Sequence, residues 1–133
     1  GKRRGTKIMF HLYDFKFKYF DPCTDQMIFY LILEIRGDRY YLQCYNNGTI
    51  CSIDISDKVE MFCNMLLEIG INDWNMKNYD GSMEWFAIFQ WTLDIVSDNI
   101  NVHCQEQYIF PPNWEGFKTA LTAIGIAGLD NIL

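Results

Sequence analysis

The sequence predicts a single α+β domain, in which one largely antiparallel sheet of about six strands carries two helices on one face. The main observation is a pattern of strand, turn, strand and amphipathic helix that occurs twice, and each copy closes with Gly-Ile, at 70–71 and at 125–126. We interpret it as a pseudo-repeat, with an N-terminal half (1–71), a connecting loop (72–83) and a C-terminal half (84–133). Half of the residues are hydrophobic and 17% are aromatic, so a core can form without disulfides.

The first strand is predicted to contain a β-bulge. Apolar residues alternate in one phase at Ile8, Phe10 and Leu12, and in the opposite phase at Phe15, Phe17 and Tyr19. A change of phase by one residue within a continuing strand is what a bulge produces, and it falls near Tyr13-Asp14. Two strands around a tight bend are the alternative.

The next part of the chain predicts two strands and a tight hairpin. Met27–Ile35 is almost entirely apolar, which is typical of a strand covered on both faces. The following strand ends at Asn46, and Asn47-Gly48 suits the two central positions of a type I′ turn. A two-residue turn sets the register of the strands that it joins.

That register pairs apolar residues across the hairpin. The predicted pairs are Tyr40 with Ile55, Leu42 with Ile53, and Cys44 with Cys51. Because the apolar faces of the two strands coincide, the pattern supports the turn independently. We expect Cys44 and Cys51 to be a packed pair of thiols, and a disulfide is the geometric alternative.

Two helices are predicted, over 57–70 and 113–124. In both segments apolar residues recur at helical spacing. Asp57 and Glu60 match a capping box at the start of the first helix, and Asn113 is a favourable N-cap for the second. Before the second helix, alternating apolar residues predict a strand ending near Ile95, followed by a turn and a return strand.

No catalytic, cofactor-binding or metal-binding motif is visible, so we expect a protein that is not an enzyme and holds no cofactor or metal. His11 and His103 are the only histidines, and neither has a second ligand at a fixed offset. The five cysteines form no CxxC pair, which favours reduced thiols in the cytoplasm over a zinc site or a disulfide framework. No apolar stretch reaches the roughly 18 residues of a spanning helix, and no signal peptide is visible.

Charge is divided unevenly along the chain. Residues 1–20 contain six Lys or Arg and one acid, 6 − 1 = +5, whereas residues 21–133 contain five Lys or Arg and sixteen acids, 5 − 16 = −11. An acidic body argues against direct nucleic-acid binding through the main domain, because phosphate contacts need basic side chains. It favours a protein partner with a basic surface, and it leaves a homodimer open.

Aromatic residues that the predicted elements do not bury are candidate anchors for a partner. Tyr41 and Tyr45 lie on the strand face opposite Leu42 and Cys44. The full set of candidate partner-binding residues is Tyr41, Tyr45, Trp74, Tyr79 and Tyr108. Aromatic side chains on an outer sheet face or a loop are typical interface anchors. The alternative is that helices cover both faces of the sheet, or that these rings simply pack on neighbouring side chains.

The C-terminal half resembles small bacterial and phage-borne α+β domains of unknown function. The resemblance covers residues 91–121, and it rests on Trp91-Thr-Leu93-Asp-Ile95 and on Tyr108-Ile-Phe110-Pro111-Pro112-Asn113-Trp114 before the second helix. It departs from the pattern at Glu106 and Tyr108, where a glycine and an asparagine are usual. The resemblance implies a bacterial or mobile-element setting and implies no activity.

These observations predict a non-enzymatic protein-binding domain of bacterial or phage origin. We expect it to act by occluding its partner, as inhibitors and immunity proteins do. A homo-oligomeric structural or accessory protein and a small-molecule binding module are the alternatives, and an enzyme would need a cleft converging on His11 or His103.

Overall fold

The structure is a computed structural model that describes residues 10–76, 89–107 and 110–129. The predictions made for Ile8, for Tyr79 and for Tyr108 lie outside these residues, as does the start of the strand predicted before Ile95. All statements on structure below concern the described ranges.

Six strands form one antiparallel sheet. They are β1 (Leu12–Asp21), β2 (Gln26–Arg36), β3 (Arg39–Asn46), β4 (Thr49–Asp54), β5 (Gln90–Ser97) and β6 (Asn101–Gln107). Their order across the sheet is β4-β3-β2-β1-β5-β6, and every neighbouring pair is antiparallel. Two helices accompany the sheet, α1 (Val59–Glu68) and α2 (Trp114–Ala123). The predicted α+β class with a six-stranded antiparallel sheet is confirmed.

The predicted bulge in β1 is confirmed. The register between β1 and β5 shifts between Leu12 and Asp14, so Tyr13 is the extra residue. Leu12 and Phe15 are both buried, which strict alternation would not allow, while Tyr13 is 55% exposed.

The predicted register of the β3–β4 hairpin is also confirmed. Cys44 pairs with Cys51 and Leu42 with Ile53. The backbone amide of Ile55 donates to the Tyr40 carbonyl at 2.9 Å, which continues the pairing beyond β4. Asn47 and Gly48 have φ values of 51° and 96°, as the central positions of a type I′ turn require.

The capping box predicted for the first helix is wrong. A 3₁₀ turn at Ser56–Lys58 precedes α1, so Asp57 lies inside that turn, and no side chain caps α1. The connection is held instead by Ser56, whose amide donates to Asp54 Oδ1 at 2.9 Å and whose Oγ accepts from the Tyr40 amide at 2.8 Å.

The side chain of Asn113 bonds to the C-terminal end of α1 and does not cap α2, the helix that it precedes. Its Nδ2 donates to the Ile69 carbonyl at 2.6 Å. The two helices also approach closely here, because a Cβ added to Gly116 would lie 2.6 Å from Ile69 Cγ2. After each helix a glycine with positive φ, Gly70 or Gly125, turns the chain back toward the core.

One cluster of buried residues contains side chains from the strands and from both helices. Phe15 of β1 packs against Phe62 of α1 with ring centroids 5.5 Å apart. Phe17 packs against Phe117 of α2 at 5.6 Å. The expectation that β2 is covered on both faces is wrong for the described residues. Phe29 and Leu31 are buried, whereas the other side chains of β2 are partly buried or, at its two ends, exposed.

The segment predicted as a connecting loop begins with ordered structure. Ile71–Met76 forms a 3₁₀ helix, which we call the linking helix, and the rest of the predicted loop lies outside the described residues. Trp74 is only 3% exposed and packs against Trp91 and Trp114, with ring centroids 6.1 Å from each. The loop prediction failed because a short 3₁₀ helix has too few residues to show a hydrophobic period.

Candidate binding surface

The face of the sheet opposite the buried core residues, here called the outer face, carries the candidate site. Directly paired residues form a row across four strands, which we call the tyrosine row: Lys18, Tyr30, Tyr45 and Ile50. The rings of Tyr30 and Tyr45 stack with centroids 5.3 Å apart and planes 13° apart. Ile50 is 64% exposed at the end of the row. Each ring limits the freedom of the other, so this surface is ordered before any partner binds.

A further aromatic side chain on the outer face, Tyr41, contacts a network of charged and polar side chains. The Arg36 guanidinium lies 4.3 Å from the centre of the Tyr41 ring. Arg36 Nε also donates to Glu34 Oε2 at 3.0 Å, and Gln43 Nε2 donates to Glu34 Oε1 at 2.6 Å. The Arg36 and Gln43 hydrogen bonds together hold the pKa of Glu34 below its usual range.

The carboxylate of Asp54 is fixed beside the same surface. Its Oδ2 accepts from Arg39 Nη2 at 2.7 Å, and its Oδ1 accepts from the Ser56 amide. The Arg39 hydrogen bond is the largest cause that holds the pKa of Asp54 far below its usual range, and Ser56 adds to it. Asp54 is therefore ionised at neutral pH, and its charge is matched by Arg39.

The other half of the outer face, on β5 and β6, is polar. His103 Nδ1 lies 2.8 Å from Asp94 Oδ1, and its Nε2 lies 2.9 Å from Asn101 Oδ1. Both ring nitrogens are thus engaged by oxygen atoms of the protein. Lys16 lies opposite Asp94 in the register of β1 and β5. This arrangement directs the polar groups toward one another rather than toward a substrate.

His11 belongs to a separate contact at the start of β1. Asp98 Oδ2 accepts from the His11 amide, and Oδ1 accepts from the Tyr13 hydroxyl, each at 2.8 Å. The imidazole of His11 and the ring of Tyr13 stack with centroids 5.7 Å apart. Hydrogen bonds from Tyr13 and from the His11 amide hold the pKa of Asp98 below its usual range. We assign this contact to anchoring β1 on the β5–β6 turn.

The structure separates the predicted partner-binding residues into three groups. Tyr41 and Tyr45 lie on the outer face, as predicted, but both are half-buried, with Tyr41 against Arg36 and Tyr45 against Tyr30. The prediction that Trp74 is a surface anchor is wrong, because its side chain is packed in the core. Tyr79 and Tyr108 lie outside the described residues.

Two members of the surface were missed from the sequence. Tyr30 was hidden in the apolar run of β2, where alternation cannot be seen. Ile50 could have been found, because the hairpin register that pairs Cys44 with Cys51 also places Ile50 opposite Tyr45.

A concavity of about 500 Å³ lies beside the hairpin on the core side. It is open to solvent, and its lining includes Cys44, Cys51, Asn46 and Gly128. Asn46 Nδ2 donates to the Gly128 carbonyl at 3.2 Å, which ties the hairpin to the segment after α2. Cys44 and Cys51 are free thiols, and burial raises the pKa of Cys44 to about 11.

Among the described residues, no group of three or more His, Cys, Asp or Glu is placed to hold a metal ion. None of the helices in those ranges is long and apolar enough to cross a membrane. Comparison with known proteins finds no family model, no curated protein and no solved structure that matches this chain. The resemblance of residues 91–121 to bacterial and phage-borne domains therefore stays a prediction.

Proposed function

We propose that this chain is a non-enzymatic protein-binding domain of bacterial or phage origin, which works in the cytoplasm by occluding its partner. The observation that carries the proposal is the stacked pair Tyr30 and Tyr45 on the sheet face opposite the buried residues of β1, β2 and β3. Tyrosines that are already ordered lose little side-chain entropy on binding, so each can contribute on the order of 1–2 kcal/mol when a partner buries it.

Charge supports a partner with a basic surface. The chain has a formal net charge of −6. On the outer face the acids Glu34 and Asp54 accept hydrogen bonds from arginines. They would form the polar rim around the tyrosines, and the overall negative field would speed the approach of a basic protein.

The test is a double substitution, Tyr41→Ser with Tyr45→Ser. The partner is first captured from a lysate of the organism that encodes the chain, identified by mass spectrometry and then purified. Calorimetric titration should give a dissociation constant at least tenfold weaker for the double variant, which corresponds to about 1.4 kcal/mol or more. Its melting temperature should stay close to that of the wild type, because the buried residues of β3 are untouched.

A matched control is Tyr13→Ser, which removes another exposed tyrosine at the far end of β1. It should leave the dissociation constant unchanged. Equal binding by the double variant and the wild type would refute the proposal that these tyrosines contact the partner. Unfolding of the double variant would mean that Tyr41 and Tyr45 are structural.

We also propose that the two strand–strand–helix units are related by a pseudo-repeat, with both helices on one face of the sheet. The contacts of Phe15 with α1 and of Phe17 with α2 support this, since the two side chains are two residues apart on one strand. The equivalent Gly-Ile endings at Gly70 and Gly125 support it as well. Nuclear Overhauser contacts from α1 and α2 to opposite sides of β1 would contradict it.

A further inference from the structure

The two edges of the sheet differ in their hydrogen bonding, because asparagine side chains bond to the backbone at the start of β6. Asn72 of the linking helix accepts from the Asn101 amide and donates to the Asn99 carbonyl, both at 3.0 Å. Asn75 accepts from the His103 amide at 2.7 Å and donates to the Asn101 carbonyl. These two amide side chains bond where a further strand would, and they occupy the N–H and C=O groups of Asn101 and the N–H group of His103 at the start of β6.

The β4 edge has no such cover in the described part of the chain. The hydrogen bond from the Ile55 amide to the Tyr40 carbonyl marks a hydrogen-bonded pair, and such pairs recur at every second residue. Thr49, Cys51 and Ile53 therefore bond to β3, while Ile50 and Ser52 direct their N–H and C=O groups away from it. β4 has no strand neighbour on that side, and no other described backbone group bonds to it there.

The side chains of β4 do not oppose pairing with another strand. Its six residues, Thr49–Asp54, include no proline and no lysine, and its pairing with β3 contains no bulge. These are the devices that usually protect an exposed edge. The one charged residue, Asp54, is paired with Arg39. Two β4 strands placed side by side would therefore bring no unpaired charges close together.

We propose that the β4 edge binds a second copy of this chain, with the two β4 strands antiparallel around a two-fold axis. This goes beyond the proposed function, because the outer face stays open and the two tyrosine rows become parts of one larger sheet surface. Ile50 and Ser52 of each copy supply the new backbone hydrogen bonds. Since Asn72 and Asn75 block the start of the β6 edge, β4 is the edge that the described ranges leave open, and the assembly closes at two copies instead of growing into a filament.

The size of the contact predicts a weak dimer. Two strands of six residues bury less than the roughly 1,200–2,000 Å² of a stable interface. We therefore expect a dissociation constant on the order of 10–100 μM. Because each copy carries a net charge of −6, added salt should screen the repulsion and strengthen the dimer. Salt would weaken the binding of a basic foreign partner, so the two proposals respond in opposite directions.

Sedimentation velocity of the full chain from about 10 μM to 1 mM tests the proposal. The wild type should pass from monomer to dimer and no further. Ile50→Lys places a charge on the edge, and Ser52→Pro removes an N–H that β3 does not use, so each should raise the dissociation constant at least tenfold. The matched control is Met61→Lys, which replaces an exposed apolar side chain on α1 with the same charge.

Dimerisation by the wild type and by Met61→Lys, with loss in both edge variants, supports the proposal. A wild type that stays monomeric across the range overturns it. So does a dimer that persists in Ile50→Lys and Ser52→Pro, because the contact would then lie elsewhere. Circular dichroism of each variant separates loss of pairing from loss of folding, and if Ser52→Pro unfolds, Ile50→Lys decides alone.

Discussion

The β3–β4 and β5–β6 hairpins occupy equivalent places at opposite edges of the sheet, yet their surroundings differ. β6 is backed by the linking helix, whose Trp74 is buried and whose Asn72 and Asn75 bond to the strand. β4 has only Ile53 partly buried, and its other five residues are exposed. A segment of six residues after α1 thus decides which edge is closed.

The two hairpins show that the formation of a hairpin and the covering of its edge strand have different causes. Strand alternation and turn chemistry depend on neighbours in sequence, so both hairpins carry similar signals. Whether an edge strand is covered depends on a segment that arrives from elsewhere in the chain. Similar hairpins can therefore play different roles, one closing the sheet and the other offering an edge to a partner.

The largest expected effect on stability comes from removing the Trp74 side chain, which packs the linking helix into the core beside β6. Trp74→Ala should lower the free energy of unfolding by about 3–5 kcal/mol, because a large ring packed against Trp91 and Trp114 is lost. Ile50→Ala on the open edge should change it by no more than about 0.5 kcal/mol. Urea denaturation at low protein concentration measures both. Similar losses in the two variants would mean that the edges are equally buried.

Each edge strand carries one cysteine, and their reactivities should differ by about a hundredfold at pH 8. Cys104 on β6 is buried, which raises the pKa of its thiol to about 11, so about 0.1% of it is thiolate at that pH. Cys51 on β4 is exposed. Timed iodoacetamide labelling with peptide mass spectrometry follows both sites in one sample. Equal labelling rates would show that the β6 edge opens readily.

Opening the covered edge should make the two edges alike. The double variant Asn72→Ala with Asn75→Ala leaves the outward groups of β6 without these partners and should cost about 1–3 kcal/mol of stability. It should also create a second open edge, so assembly should continue past the dimer. Sedimentation velocity against the wild type detects the larger species. An unchanged size distribution would show that the two asparagines are not what limits pairing at β6.

The smallest expected effect is on how the melting temperature depends on pH in the acidic range. Asp54 beside β4 and Asp98 at the β5–β6 turn both have a pKa below the usual value. A carboxylate with a lowered folded pKa stabilises the fold above its unfolded pKa of about 3.9, and this contribution is lost as pH falls through the folded pKa. Asp54→Asn and Asp98→Asn should each melt a few degrees below the wild type at pH 7, with smaller differences at pH 2. A difference that is constant with pH would exclude ionisation as the cause.

Much of the fold could be predicted from local patterns. The bulge at Tyr13, the type I′ turn at Asn47-Gly48 and both helices follow from alternation, turn chemistry and helical spacing. The capping box at Asp57 was wrong because a 3₁₀ turn displaced the start of the helix. The candidate surface was only half predicted, since Tyr41 and Tyr45 were placed correctly whereas Trp74 was not.

The sequence by itself determined the two α-helices, the β3–β4 register and the inward face of each alternating strand, because these depend on residues that are close along the chain. The tertiary structure alone decided which of those faces and edges are covered. Trp74 and Ile50 illustrate the distinction. The hairpin register already places Ile50 on the outer face, whereas only the packing of the linking helix against β6 buries Trp74. The same tertiary arrangement leaves β4 without a comparable cover in the described ranges.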